Sequence, residues 1–99
     1  MDAILETATD SGDYEVLINA CKKASSVPGL SCEIGVRAGG SSYYIMKTFL
    51  EMNAKRPHIA IDPYGNINYI HWETQVVKMD YTNPMKYETM QNLYAWCLK

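Results

Sequence analysis

The residues that could do chemistry lie in one run, Glu33-Ile34-Gly35-Val36-Arg37-Ala38-Gly39-Gly40-Ser41-Ser42. It falls where an apolar strand pattern gives way to a helical one. Gly35 and Gly39 permit a sharp turn and a close approach of backbone to a ligand. The first N–H groups of the following helix point back at the same place and favour a carboxylate or phosphate. Ser41 and Ser42 add hydroxyls there. A second acid, Asp62, closes the next strand-like run, His58-Ile59-Ala60-Ile61-Asp62. Adjacent parallel strands bring their C-terminal ends together, and open α/β sheets bind ligands at that edge. An acid at this position suits two ribose hydroxyls. Together the two pieces predict a ribonucleoside with an anionic group on its far side.

The elements that must hold these residues are legible nearby. Val16, Leu17, Ala20, Cys21 and Ala24 have helical spacing, which predicts a helix over about 13–25 after the cap-forming Asp10-Ser11-Gly12-Asp13. Ser25-Ser26-Val27-Pro28-Gly29 ends it. Leu30 to Val36 reads as a buried strand with Cys32, Ile34 and Val36 on one face. A helix from Ser41 or Ser42 to about Asn53 presents Ile45, Met46, Phe49, Leu50 and Met52. With a strand on either side, that helix predicts a parallel βαβ crossover. Residues 66–73 have no clear period, and Thr74 to Met79 is a candidate third strand. Asn83-Pro84 opens a last helix, with Asn83 as cap, carrying Met85, Met90, Leu93, Tyr94 and Cys97.

The run Glu-Ile-Gly-Val-x-x-Gly-x-Ser, followed by Ile-Ala-Ile-Asp-Pro-Tyr-Gly, resembles class I S-adenosylmethionine-dependent methyltransferases. It is most similar to the small-molecule O-methyltransferase branch, of the catechol, caffeoyl-CoA and macrocin types. The resemblance covers about residues 31–65. It implies that Gly35, Gly39 and Gly40 pack against the methionine part of the cofactor, that Ser41 (with Ser42 beside it) touches its carboxylate, that Glu33 lies near its ammonium, and that Asp62 holds the ribose. Asp80, in Asp80-Tyr81-Thr82-Asn83, stands where an acid approaches the adenine. The stretch from Glu33 to Asp62 is a few residues longer than in the caffeoyl-CoA type. Asp62 is Asp where Glu is also common.

The implied fold is α/β, a partial Rossmann-like methyltransferase fold with a short parallel sheet and flanking helices in three layers. The chain has 99 residues, and each β-plus-α step takes roughly 25–35. The expectation is therefore one truncated cofactor-binding domain over 1–99: a helical segment at 1–29, the βαβ motif at 30–65, and a loop, possible strand and helix at 66–99. The expected function is the S-adenosylmethionine-binding half of a methyltransferase whose parent reaction is O-methylation of a small molecule. No residue is assignable as general base, so catalytic completeness is not expected. The alternatives are a non-catalytic oligomerising module and a nucleotide-binding subunit completed by another chain.

Other motif readings fail. Gly35 and Gly40 have phosphate-loop spacing, but Ser41 stands where the Lys must be. Arg37 breaks the dinucleotide glycine pattern and reads as a solvated loop residue. Within its apolar run Glu33 needs a partner: the cofactor ammonium, Arg37 or a backbone N–H. Asp62 has a local alternative as the cap of the Pro63-Tyr64-Gly65 turn. His58 simply opens a strand. His71 and Glu73 lack a third ligand, so no metal is expected.

Composition bounds the rest. The net charge of -2 and the absence of a basic stripe argue against nucleic acid. Lys22-Lys23 and Lys55-Arg56 read as solvated helix ends. Cys21, Cys32 and Cys97 match no zinc or redox spacing and read as buried free thiols in a reducing compartment. No signal peptide or membrane-length run is present, so a cytoplasmic location without membrane contact is expected. The bare edge of a short parallel sheet and the many aromatics, among them Tyr43, Tyr44, Tyr64, Tyr87, Tyr94 and Trp96, predict a homo-oligomer. Tyr69, Trp72 and Tyr81 belong to the same aromatic set.

Overall fold

The computed structural model describes residues 2–6, 14–71 and 76–98. The elements run α1 (Asp2–Glu6), α2 (Tyr14–Ala24), β1 (Ser31–Ile34), α3 (Gly40–Glu51), β2 (His58–Ile61), β3 (Ile67–His71), β4 (Val76–Asp80) and α4 (Asn83–Cys97). The fold is mixed α/β, with a short parallel two-stranded sheet flanked by helices.

β1 and β2 pair in parallel across α3, as the alternating pattern predicts. Their register sets Ser31 against His58, Cys32 against Ile59, Glu33 against Ala60 and Ile34 against Ile61. The backbone ladder extends one residue beyond each end, through Ser31 N–H to Pro57 O and Gly35 N–H to Ile61 O. α3 starts from Gly39, whose φ of 95° is open to glycine and costly to other residues. It closes with Asn53 in the left-handed region and Ala54 N–H bonded to Phe49 O.

The main apolar core lies between helices. Cys21 of α2 packs with Ile45 and Phe49 of α3, backed by Leu17, Ala24 and Ala54. Tyr43 is fully buried, edge-on to Trp96 of α4 at 5.2 Å. Leu50 and Met52, expected on the same apolar face, are exposed.

The strand burial differs from expectation. Val36 is buried, but Cys32 is exposed and Ile34 is 84% exposed, as are Ile59 and Ile61 at 45% and 50%. Alternation places Cys32, Ile34, Ile59 and Ile61 on one sheet face, and no described element covers it. Residues from both α3 and α4 stand over the opposite face, beside Ser31, His58 and Ala60. The described residues thus build helices on one side of the sheet where three layers were expected. Of the three thiols only Cys21 is buried; Cys97, like Cys32, is exposed.

The third strand is also not a continuation of the parallel sheet. β3 and β4 form a separate antiparallel pair, Ile67 opposite Asp80 and His71 opposite Val76. The β4 expectation began at Thr74, which lies outside the described residues, as do Asp10 to Asp13, Trp72 and Glu73. The cap of α4 is Thr82, not Asn83: the Thr82 hydroxyl accepts from Met85 N–H at 3.2 Å, with Pro84 in the first turn. α4 buries Thr89, while Tyr87, Met90 and Tyr94 point outward.

Candidate functional site

Two carboxylates organise the C-terminal edge of β1 and β2. Glu33 sits on the helix-facing side of β1, 9% exposed. Its oxygens accept from the hydroxyls of Ser41 and Ser42 in the first turn of α3. His58 Nε2 stands 3.3 Å from the same carboxylate. Burial pushes the Glu33 carboxyl up, but the bonds from His58, Ser41 and Ser42, and the His58 charge, outweigh it. Glu33 is held below the usual carboxylate range. Its partners are therefore not Arg37 or a backbone amide, as the sequence offered. A negative charge at the start of α3 is favoured by the helix dipole, and here the chain's own Glu33 fills that place.

Asp62, one residue past β2, holds the glycine-rich turn. Its Oδ2 accepts from Val36 N–H at 2.8 Å and Arg37 N–H at 2.9 Å; its Oδ1 accepts from Tyr64 N–H at 3.1 Å. The local capping role is thus real, and it extends across strands to the turn after β1. Arg37 adopts φ 50°, and its carbonyl accepts from the Tyr64 hydroxyl and from Thr89 Oγ1 of α4 at 2.9 Å. Burial, with the Asp62 and Glu33 charges, pushes the Tyr64 phenol above its ordinary range. The Arg37 side chain is not a free solvated group: it pairs with Asp80 at 3.1 Å, an acid that is only 6% exposed. Asp80 Oδ1 also accepts from Tyr81 N–H.

The glycines are used by the fold itself. A Cβ on Gly39 would stand 3.2 Å from Thr89 Cγ2 and 3.3 Å from Leu93 Cγ, so α4 rests directly on the turn. Gly35, at φ 93°, has open space beside it. Gly40 is buried as the first residue of α3.

Next to this turn a cleft of ≈ 310 Å³ opens between the strand ends and α4, lined by Val36, Ala60, Asp62, Tyr64, Lys86 and Met90. No family model, curated protein or solved structure matches the chain. The site has to be read from its own geometry.

That geometry brings Glu33, Ser41 and Ser42 onto each other and Asp62 onto Val36 and Arg37. It gathers Gly35, Gly39 and Gly40 into one turn. A carboxylate offers about four acceptor positions. Asp62 has used three of them, which leaves one on Oδ1. It can take one ribose hydroxyl without disturbing the turn, where two were expected. Among the described residues, no group of three His, Cys, Asp or Glu could hold a metal, and no helix is long and apolar enough to cross a membrane.

Sequence reasoning missed Ser31, His58, Tyr64 and Thr89. Ser31 and His58 each open a strand run, and parallel pairing of first residue with first residue would have set them side by side. Arg56, read as a solvated helix end, is half-buried. Its guanidinium lies 4.1 Å over the Phe49 ring and donates to Ser25 O at 3.2 Å.

Proposed function

We propose that this chain binds the nucleoside part of S-adenosylmethionine, or of a ligand of that class, in the cleft between Asp62 and α4. The observation that carries the reading is the carboxylate of Asp62, at the C-terminal end of a parallel strand, lining a cleft with one acceptor position left on Oδ1. At ≈ 310 Å³ the cleft is at the lower end of small-molecule sites, roughly 300–1,000 Å³. It suits a nucleoside better than a whole cofactor.

The methionine side fits less well. Ser41 and Ser42 give their hydroxyl protons to Glu33, and α4 fills the approach to Gly39. The reading for this chain is therefore binding through the ribose. The O-methylation of a small molecule implied by the resemblance also needs an aligned acceptor and a base or metal, and the residues lining the cleft are not assigned those roles. The partial Rossmann-like fold belongs to the same proposal: the β1–α3–β2 unit with an acid after β2 supports it.

Calorimetric titration with S-adenosylmethionine, S-adenosylhomocysteine and adenosine tests the reading. All three are expected to bind with affinities within about tenfold of one another, a spread of roughly 1.4 kcal/mol. Asp62→Asn, which keeps an oxygen for the turn, is expected to weaken each by about tenfold. No saturable binding up to millimolar ligand sinks the proposal.

A second reading rests on a different observation, the bare face of Cys32, Ile34, Ile59 and Ile61. Parallel strands are ordinarily covered on both faces. On this reading the chain is a self-associating module that buries that face in a homo-oligomer. Sedimentation that shows an assembly independent of ligand supports it, and a monomer at all concentrations sinks it.

A further inference from the structure

The parallel register does something the nucleoside reading does not use. Ser31 and His58 are direct ladder partners, and Glu33 lies two residues along on the same face. Ser31 Oγ is 2.8 Å from His58 Nδ1, and His58 Nε2 is 3.3 Å from Glu33 Oε1. The side chains of His58 and Glu33 are only 4% and 7% exposed. An anionic Glu33 can only accept, so in the neutral imidazole the proton sits on Nε2 and the lone pair on Nδ1 faces the Ser31 hydroxyl. That is the order of groups by which a base, itself held by an acid, activates a hydroxyl.

The triplet does not face a packed core. Ser31 and His58 open onto a cavity of ≈ 120 Å³ walled by Met46, Phe49, Leu50 and Trp96. Lys55 and Arg56 stand at the same cavity. Arg56 is committed to the carbonyls of Ala24 and Ser25, which leaves Lys55 as the cation for a developing negative oxygen.

We propose that Ser31 is an activated nucleophile that takes the acyl group of short-chain carboxylic esters, with His58 as its general base and Glu33 as the residue that positions His58. Ser31 Oγ attacks the ester carbonyl carbon while its proton passes to His58 Nδ1. The carbonyl oxygen carries the negative charge in the tetrahedral intermediate. When the carbon–oxygen bond to the alcohol breaks, His58 returns the proton to the leaving alcohol, and the acyl group stays on Ser31. Water, deprotonated by His58, then attacks the acyl-serine. It releases the carboxylic acid and restores the Ser31 hydroxyl. At ≈ 120 Å³ the cavity is somewhat smaller than an apolar void of about 150 Å³ that takes up benzene, which favours a short acyl chain.

The test uses the full chain carrying Cys32→Ser, which removes the exposed thiol beside Ser31. A fluorophosphonate probe is applied and the adduct located by peptide mass spectrometry; hydrolysis of p-nitrophenyl butyrate and octanoate is followed alongside. The expected result is an adduct on Ser31, butyrate preferred over octanoate, and loss of both labelling and at least about 100-fold of the rate in Ser31→Ala, the scale of a lost acid–base step. Glu33→Gln is expected to lower kcat with KM unchanged. Folding of each variant is checked by circular dichroism. A folded protein with no adduct on Ser31, or a Ser31→Ala variant that hydrolyses the butyrate at the parent rate, overturns the proposal. Ser31→Ala is half-buried and loses one hydroxyl, so it decides the matter even if His58 variants do not fold.

Discussion

Replacing Gly39 by Ala probes whether α4 truly rests on the glycine-rich turn, the feature that limits how a ligand approaches it. At φ 95° an L side chain costs about 1–2 kcal/mol in backbone strain. The smaller freedom of Ala in the unfolded chain returns about 0.4–1 kcal/mol. Gly35→Ala, at φ 93° with nothing within 4 Å, isolates this balance, a net cost of roughly 0–1.6 kcal/mol. At Gly39 the new Cβ also meets Thr89 Cγ2 at 3.2 Å, Leu93 Cγ at 3.3 Å and Leu93 Cδ1 at 3.4 Å. Overpacking of this kind adds about 1–3 kcal/mol. The difference between the two variants therefore measures the docking of α4. Urea unfolding followed by tryptophan fluorescence reads it, since Trp96 packs against Tyr43. With a slope of about 1.5 kcal/mol/M, Gly39→Ala should unfold at a midpoint roughly 0.7–2 M below Gly35→Ala. Thr89→Ser removes Cγ2 and keeps the hydroxyl bonded to Arg37 O, so adding it to Gly39→Ala should recover part of the loss. Equal costs for the two glycine variants would refute the packing of α4 on the turn.

Acid should weaken the fold through Glu33. Its folded pKa lies below the ordinary 4.5, so the folded state holds this proton more weakly than the unfolded chain. Its contribution is fully present above pH 4.5 and is lost as pH falls through the folded value; urea midpoints measured from pH 6 to pH 3 should fall, and Glu33→Gln should flatten that fall. Arg37→Ala should cost about 1–3 kcal/mol, because it strips a charged partner from the buried Asp80 carboxylate; a loss below 0.5 kcal/mol, roughly the scale of an exposed ion pair, would show that Asp80 is satisfied without it. Ile34→Thr with Ile61→Thr, both at exposed positions of the bare sheet face, should shift sedimentation toward monomer while leaving the urea midpoint nearly unchanged. A large loss of stability there would mean that the face is covered within the chain.

The elements of the first sixty-odd residues were legible because apolar spacing and Gly-Pro punctuation mark them. α2, β1, α3 and β2 lie within about two residues of expectation, in keeping with the precision of boundary readings. The hairpin was less visible. Pro63, Gly65 and Asn66 mark the turn before β3, but Tyr81, at positive φ without being glycine, hides the one after β4. Burial was hardly legible at all on β1. Alternation groups Cys32 with Ile34, but it cannot say whether anything packs against them. At the candidate site the sequence named Glu33, Ser41, Ser42 and Asp62 but, apart from the Asp62 cap of its own turn, not their bonds. Those depend on register: Ser31 against His58 is what puts an imidazole beside Glu33.

Glu33 links the two proposals, and its valence separates them. Of about four acceptor positions on the carboxylate, the hydroxyls of Ser41 and Ser42 and the His58 ring take three. A cofactor ammonium that drew on Glu33, as the resemblance implies, would compete for the carboxylate that orients His58. A ligand held through Asp62 in the cleft beneath α4 would leave it alone. Asp62 and Glu33 share no donor, and the cleft is lined by Ala60 and Tyr64 while the esterase cavity is lined by Ser31 and Trp96. The rate at which a fluorophosphonate labels Ser31 should therefore be the same with and without saturating S-adenosylmethionine. If the labelling rate falls by about tenfold or more while adenosine leaves it unchanged, the methionine ammonium reaches Glu33 after all. The ligand would then lie along the turn with α4 displaced, and the ribose-only mode of binding would be wrong.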